Sequence, residues 1–228
     1  MTTNKAFRSV RGLVGGVALL VAMGLAMAGL SGCGAPAYTY VADSARSTYY
    51  KVPTNWHAIS QSSLDQALTS GGSASTSGVW VAGYDAGRSP SANNVLSYSP
   101  TNPVAFSEVI PLSQDASNGL SYDELRDFVL PVSATGRQSY TQGGSTQFSG
   151  FSQSRDDIIS AGNGVHGVRE TFKYTVSGVT DTFDEVALTN ADQTVVYFLM
   201  THCTSSCYAN NEADINTVMS SFTIGSTS

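Results

Sequence analysis

Past residue 32 the chain holds no cluster of Lys or Arg, no Gly-x-Ser-x-Gly, no His-Glu-x-x-His and no glycine-rich phosphate loop. Each absence excludes something. Nucleic-acid binding needs clustered cations to meet phosphate, so no nucleic-acid partner is expected. A serine hydrolase of the elbow type needs the strained turn that the first motif supplies. The zinc-protease helix is missing, and the two cysteines beyond Cys33 cannot close a zinc site by themselves. No metal and no cofactor are therefore expected. No internal repeat stands out.

What is present begins at the amino terminus. Lys5, Arg8 and Arg11 precede an apolar run from Leu13 to Leu30, broken only by glycine, that ends in Leu30-Ser31-Gly32-Cys33. A basic start, an apolar middle and small residues at the cut describe a secretory signal. The last four residues resemble a lipobox, in which the cysteine thiol receives diacylglycerol and the peptidase cuts just before it. The run is close to the roughly 17 to 25 residues that span a bilayer. Its glycines and terminal cysteine nevertheless suit a signal better than a span. The expectation is a cleaved signal over 1–32, with Cys33 as the lipidated first residue of the mature chain.

Cleavage leaves 196 residues, enough for one domain with a real core. Eight Lys and Arg then face seventeen acids, a net charge of about −9 that anionic lipid repels weakly. Acyl chains on Cys33 must do the anchoring, at the outer face of the cytoplasmic membrane. Residues 33–47 are small and polar with two tyrosines and read as a flexible tether, reaching at most about 46 Å. The domain is expected over 48–228. In an oxidising compartment Cys203 and Cys207 read as a disulfide, worth about 2 kcal/mol for so short a loop. Their spacing is not the redox one.

Three helices are predicted. Ser63 with Gln66 forms a capping box before Leu64, Ala67 and Leu68, and Gly71-Gly72 stops that helix. Ser121 caps a second, with Glu124 reaching back, Leu120 and Leu125 as a staple and Pro131 at its end; Leu125, Phe128 and Val129 face the core. The third starts near Asn211 and repeats Ile215, Val218, Met219 and Phe222 at helical spacing. Strands are predicted over 79–84, 104–112, 168–176, 183–188 and 194–203, the last two joined by the turn Asn190-Ala191-Asp192-Gln193. In the third of these strands Phe172, Tyr174 and Val176 oppose a wet face of Arg169, Thr171, Lys173 and Thr175. The final strand is apolar on both faces and should be central. The Gly- and Ser-rich stretches at 71–78 and 142–150 read as surface loops. The order implies an α+β domain, an antiparallel sheet with helices segregated onto it.

Tyr50-Lys51-Val52-Pro53-Thr54-Asn55-Trp56, Val196-Tyr197-Phe198-Leu199 and the run from Asp214 to Phe222 together resemble the PsbP-like superfamily, and within it the actinobacterial lipoproteins of the LpqN type. The resemblance covers roughly residues 48 to 224. It implies a curved antiparallel sheet flanked by helices, used mostly as an accessory or assembly factor for larger complexes, and hence an envelope protein as partner. The Cys203 and Cys207 pair is similar to that of envelope members. The long Gly and Ser insertions depart from the compact pattern.

Chemistry could still reside in His57, His166 or His202, although histidines on the surface or at strand edges are the expectation without an elbow. Asp156-Asp157 and Asp184-Glu185 are carboxylate pairs, but strand neighbours diverge to opposite faces, so they are expected as solvated acids. Adjacency on a strand likewise argues against His202 and Cys203 chelating a metal. Trp56 and Trp80 are expected in the core. Two functions stay open: a non-catalytic binding module, and an envelope hydrolase with an unrecognised site. A perturbed His or carboxylate in a cleft favours the second; an apolar groove or exposed aromatic patch favours the first.

Overall fold

The computed structural model describes residues 36–70 and 78–225. Among these, β1 (Tyr38–Asp43), β2 (Thr48–Pro53) and β10 (Thr223–Ile224) form a small antiparallel sheet in the order β1-β2-β10. A seven-stranded antiparallel sheet holds β3 (His57–Ile59), β4 (Trp80–Asp85), β5 (Val104–Pro111), β6 (Phe148–Ser160), β7 (His166–Val176), β8 (Val179–Thr189) and β9 (Val195–Thr204). Its order is β3-β4-β5-β9-β8-β7-β6. The helices are α1 (Gln61–Ser70), α2 (Ala92–Leu96), α3 (Gln114–Gly119), α4 (Tyr122–Arg126), α5 (Ala134–Gln142) and α6 (Ser205–Ser220). The fold is α+β, with helices against an antiparallel sheet.

Strand periodicity divides the core in two. Val196, Phe198 and Met200 of β9 point to one face of the large sheet, where Val168, Phe172, Phe183 and Phe106 join them beneath α1, α2 and α4. Tyr197 and Leu199 point to the other, against Ile215, Val218 and Met219 of α6 and against Val41, Tyr50 and Val52 of the small sheet. The doubly apolar strand is thus the middle one, covered on both sides. The Tyr50 hydroxyl hydrogen-bonds Ser107 Oγ at 2.9 Å and ties the two sheets together. The β8–β9 turn is held by Asn190 Oδ1, which accepts from the amides of Thr194 and Val195.

Several expected boundaries move, for local reasons. The stretch taken as tether carries β1, paired with β2 from Tyr38↔Pro53 to Asp43↔Thr48; Ala37 accepts the Thr54 amide at 3.1 Å. The chain is therefore part of the domain from Ala37 onward. Helix α1 is capped by Ser60, not Ser63, since Ser60 Oγ accepts the Ser63 amide; Gly71-Gly72 lie outside the described residues. Ser121 caps α4 through the Glu124 amide as expected, but the helix ends at Arg126, well before Pro131. The Asp127 carboxylate takes the amides of Val132 and Ser133 and turns the chain there, leaving Leu125 buried, Phe128 half-buried and Val129 exposed. Helix α6 begins at Ser205 with Thr204 as cap; Asn211, at φ −122°, kinks it, so the apolar repeat starts only after the kink. Phe222 lies beyond its end. The loop expected over 142–150 narrows, because β6 begins at Phe148.

Candidate functional site

Where α1, α2 and the segment after α4 cross the sheet they leave a cleft of about 240 Å³. Its walls are apolar: Phe106 from β5, Phe183 from β8, Met200 from β9, Leu68 and Val95 from the helices, and Phe128 to Leu130 at the lip. Besides the Tyr98 phenol, whose pKa burial raises, two titratable groups reach it, His202 and Glu108. His202 is 2% exposed, a correction to the surface position expected for it. Its ring stacks on Phe183 at 5.1 Å, Nε2 lies 3.5 Å from the Val95 carbonyl, and Nδ1 has no partner among the described residues. Burial pushes its pKa down to about 4, against a smaller upward pull from the Val95 carbonyl. The ring is neutral at pH 7. Burial also raises Glu108 to about 7.

These two groups do not act together. His202 pairs with Val104 and Phe198 with Glu108, so the two side chains sit four residues apart along β5, about 13 Å, with Phe106 and Met200 between them. Ser107, next to Glu108 in sequence, points to the opposite face and bonds Tyr50. General acid–base work needs the partner within hydrogen-bond reach of the reacting group. The cleft offers apolar contact, with a carboxyl and an imidazole at separate points and the hydroxyl residues Ser97 and Tyr98 in its lining.

The other histidines lie apart from it. His57 is exposed on β3, and His166 is half-buried at the start of β7 with Nδ1 2.9 Å from the Gly164 carbonyl. Cys203 and Cys207 are joined by a disulfide that links the end of β9 to the first turn of α6. That places Cys207 inside the helix rather than in a loop before it. Trp56 is in the second core and Trp80 packs against it. Cys33 lies outside the described residues. Among those described, no three His, Cys, Asp or Glu side chains converge on a metal position.

The carboxylate pairs do diverge, but not all into solvent. Asp156 faces Arg126, whose Nε and Nη2 donate to its Oδ1 at 3.0 and 2.9 Å, while Asp157 turns back to Arg155. Asp184 and Glu185 are both fully buried, correcting the solvated reading. Asp184 accepts two bonds from Arg169 and one from the Tyr208 hydroxyl on the α6 face. Glu185 enters the other core directly opposite Glu170, which in turn opposes Asp156. Neither oxygen of Glu185 has a partner among the described residues. Burial first, and then the Glu170 charge, hold Glu185 well above the usual carboxylate range; burial and Asp156 lift Glu170 to about 8. Neither residue lines the cleft. Glu170 and Glu108 carried no functional expectation in the sequence, yet Glu170 shares strand parity with Phe172 and Tyr174, which marks it as inward.

No family model matches the chain, and no curated protein matches it. Similar solved structures include cyanobacterial PsbP (CyanoP) from Synechocystis sp. PCC 6803, with 12% identity, TM-score 0.49, and coverage of 85% of this chain and 96% of that one. LpqN, involved in cell envelope biogenesis of Mycobacterium tuberculosis, shares 14% identity with TM-score 0.44, over 83% of this chain and 91% of that one. The Ran-binding protein Mog1p of Saccharomyces cerevisiae shares 8% with TM-score 0.43, over 82% and 95%. These are likenesses of chain path alone.

Proposed function

We propose that the protein is a non-catalytic binding or assembly module of the cell envelope, an extracytoplasmic lipoprotein of the LpqN type anchored by acyl chains on Cys33. In this reading the domain is held at the outer face of the cytoplasmic membrane and receives an apolar group of an envelope protein in the cleft. The observation that carries it is the cleft itself: its walls are apolar, while its imidazole and its carboxyl are too far apart to share a proton. The basic, apolar and lipobox sequence of residues 5–33 supports the anchor, and no helix among the described residues is long and apolar enough to cross a membrane.

Two measurements test this. Mass spectrometry of the mature protein is expected to find an acylated Cys33, with unprocessed precursor accumulating in Cys33→Ala; a product cut elsewhere contradicts the anchor. In a deletion strain, Val129→Trp, which fills the lip of the cleft, is expected to abolish capture of the partner by crosslinking, while Glu108→Gln and His202→Phe still complement. Loss of complementation in either of the latter two, with folding and capture intact, would favour a hydrolase.

A further inference from the structure

The small sheet has one face in the second core and, among the described residues, one face uncovered. Val41, Tyr50 and Val52 point inward, and strand alternation sends Tyr38, Tyr40, Ala42, Tyr49 and Lys51 outward. Register brings them together: Tyr40 lies opposite Lys51 and Ala42 opposite Tyr49. Tyr40 is 80% exposed and Tyr49 42%. The Lys51 ammonium stands 4.6 Å over the Tyr38 ring. None of the three strands turns a carboxylate outward, because Asp43, their one acid, is buried and bonded to Arg46. In a mature chain of net charge about −9, this face is aromatic and positively charged.

Its position in the chain matters as much as its composition. Ala37 is fixed to the domain by the Thr54 amide, and only three residues lie between it and Cys33, a reach over four Cα steps of at most about 14 Å. We infer that this face is a membrane-docking surface, on which Tyr38, Tyr40 and Tyr49 enter the headgroup region and Lys51 meets anionic lipid phosphate. Tyrosine suits that boundary, since its ring is apolar and its hydroxyl can stay wet. A net negative domain is repelled by such a bilayer as a whole; the uncovered face is the part of the small sheet that is not. Docking fixes the domain's orientation rather than its attachment, and it rests on the lipid anchor proposed above.

The test uses the acylated full-length lipoprotein reconstituted in vesicles of phosphatidylcholine and phosphatidylglycerol. Ala42→Cys supplies the one free thiol for an environment-sensitive dye, with Cys33 acylated and Cys203 bonded to Cys207. A label at Val179→Cys, on the exposed β7–β8 turn, is the control. The expected result is co-flotation with the vesicles, a blue shift and quenching by brominated lipid at position 42, and neither at 179. Tyr40→Ala with Tyr49→Ala should bring quenching at 42 down to the level at 179 while flotation persists, and Lys51→Gln should weaken it more on anionic than on neutral vesicles. Flotation with an aqueous label at 42 overturns docking and leaves the anchor standing. Failure to float overturns the anchor and docking with it. A label buried only in native membranes, and not on protein-free vesicles, assigns the face to a protein and overturns the bilayer as its occupant.

Discussion

His202 shows how a side chain of catalytic type becomes a core residue. It sits on the central strand, stacked on Phe183, with only a long contact from Nε2 to a carbonyl. Its folded pKa of about 4 lies below the ordinary 6.5. The stability linked to the neutral ring is therefore complete above 6.5 and is lost as pH falls from there through 4. His202→Phe keeps the stacking and removes the titration, so urea unfolding between pH 6.5 and 4 is expected to show a shallower loss on acidification than the wild type. His202→Ala also removes packing and should cost about 2 to 3 kcal/mol at pH 7. An unchanged acid slope in His202→Phe would place that titration elsewhere.

β9 runs directly into α6, from Thr204 to Ser205, and their disulfide acts on that joint. Cys203 and Cys207 have Cα atoms 5.9 Å apart, one at the end of a fully buried strand and the other in the helix's first turn. Replacing both with Ala should lower stability by about 2 kcal/mol without unfolding the domain, with hydrogen exchange rising in the first turn of α6 more than in β8. Free-thiol labelling of the unfolded, unreduced mature protein should find neither cysteine; two reactive thiols would contradict the bond. The sequence made these elements legible to different degrees. Strands that bury one or both faces carry their period openly, as β5, β7 and β9 do, and the Ser121 cap is a local bond that local residues disclose. β6 is an edge strand whose side chains are mostly exposed or half-buried, so selection for burial left no alternation to read. β1 was hidden because its pairing with β2 crosses a turn that looks like linker. The kink at Asn211 hid the first turn and a half of α6. The cleft was the least legible feature, since Glu108, Phe128, Phe183 and His202 meet only through tertiary packing.

At the scale of the whole molecule, the buried acids decide how the fold responds to pH. Glu170 and Glu185 face each other across β7 and β8, buried, with the half-buried Arg126 and Asp127 and the exposed Asp156 of β6 at the edge of the same core. Arg126 lies 3.8 Å from Glu170, but Asp156 and Asp123 already take its hydrogen bonds. Two carboxyls this close in a dry core stay protonated where exposed acids ionise. Their folded pKa values are raised, to about 8 for Glu170 and well up for Glu185, with Glu108 at about 7 in the cleft. The linked stability is complete below the unfolded value near 4.5 and is lost as pH rises through 7 and 8. His202 pulls the opposite way between 6.5 and 4, but it is one group against four, since burial raises Asp181 as well. The stability linked to these groups should therefore be greatest at or below about pH 4.5 and decline steadily from pH 5 toward pH 8. Glu170→Gln keeps an acceptor for Gln153, which now donates to Glu170 Oε1 at 2.7 Å, and it removes the titrating proton. It should flatten the decline by up to about 1.4 kcal/mol per pH unit and raise the melting temperature at pH 8 above the wild type. Thermal unfolding of both proteins from pH 4 to 9 decides the matter: a wild-type curve that climbs from pH 5 to 8, or a Glu170→Gln curve parallel to it, would mean that these carboxyls are ionised in the folded protein.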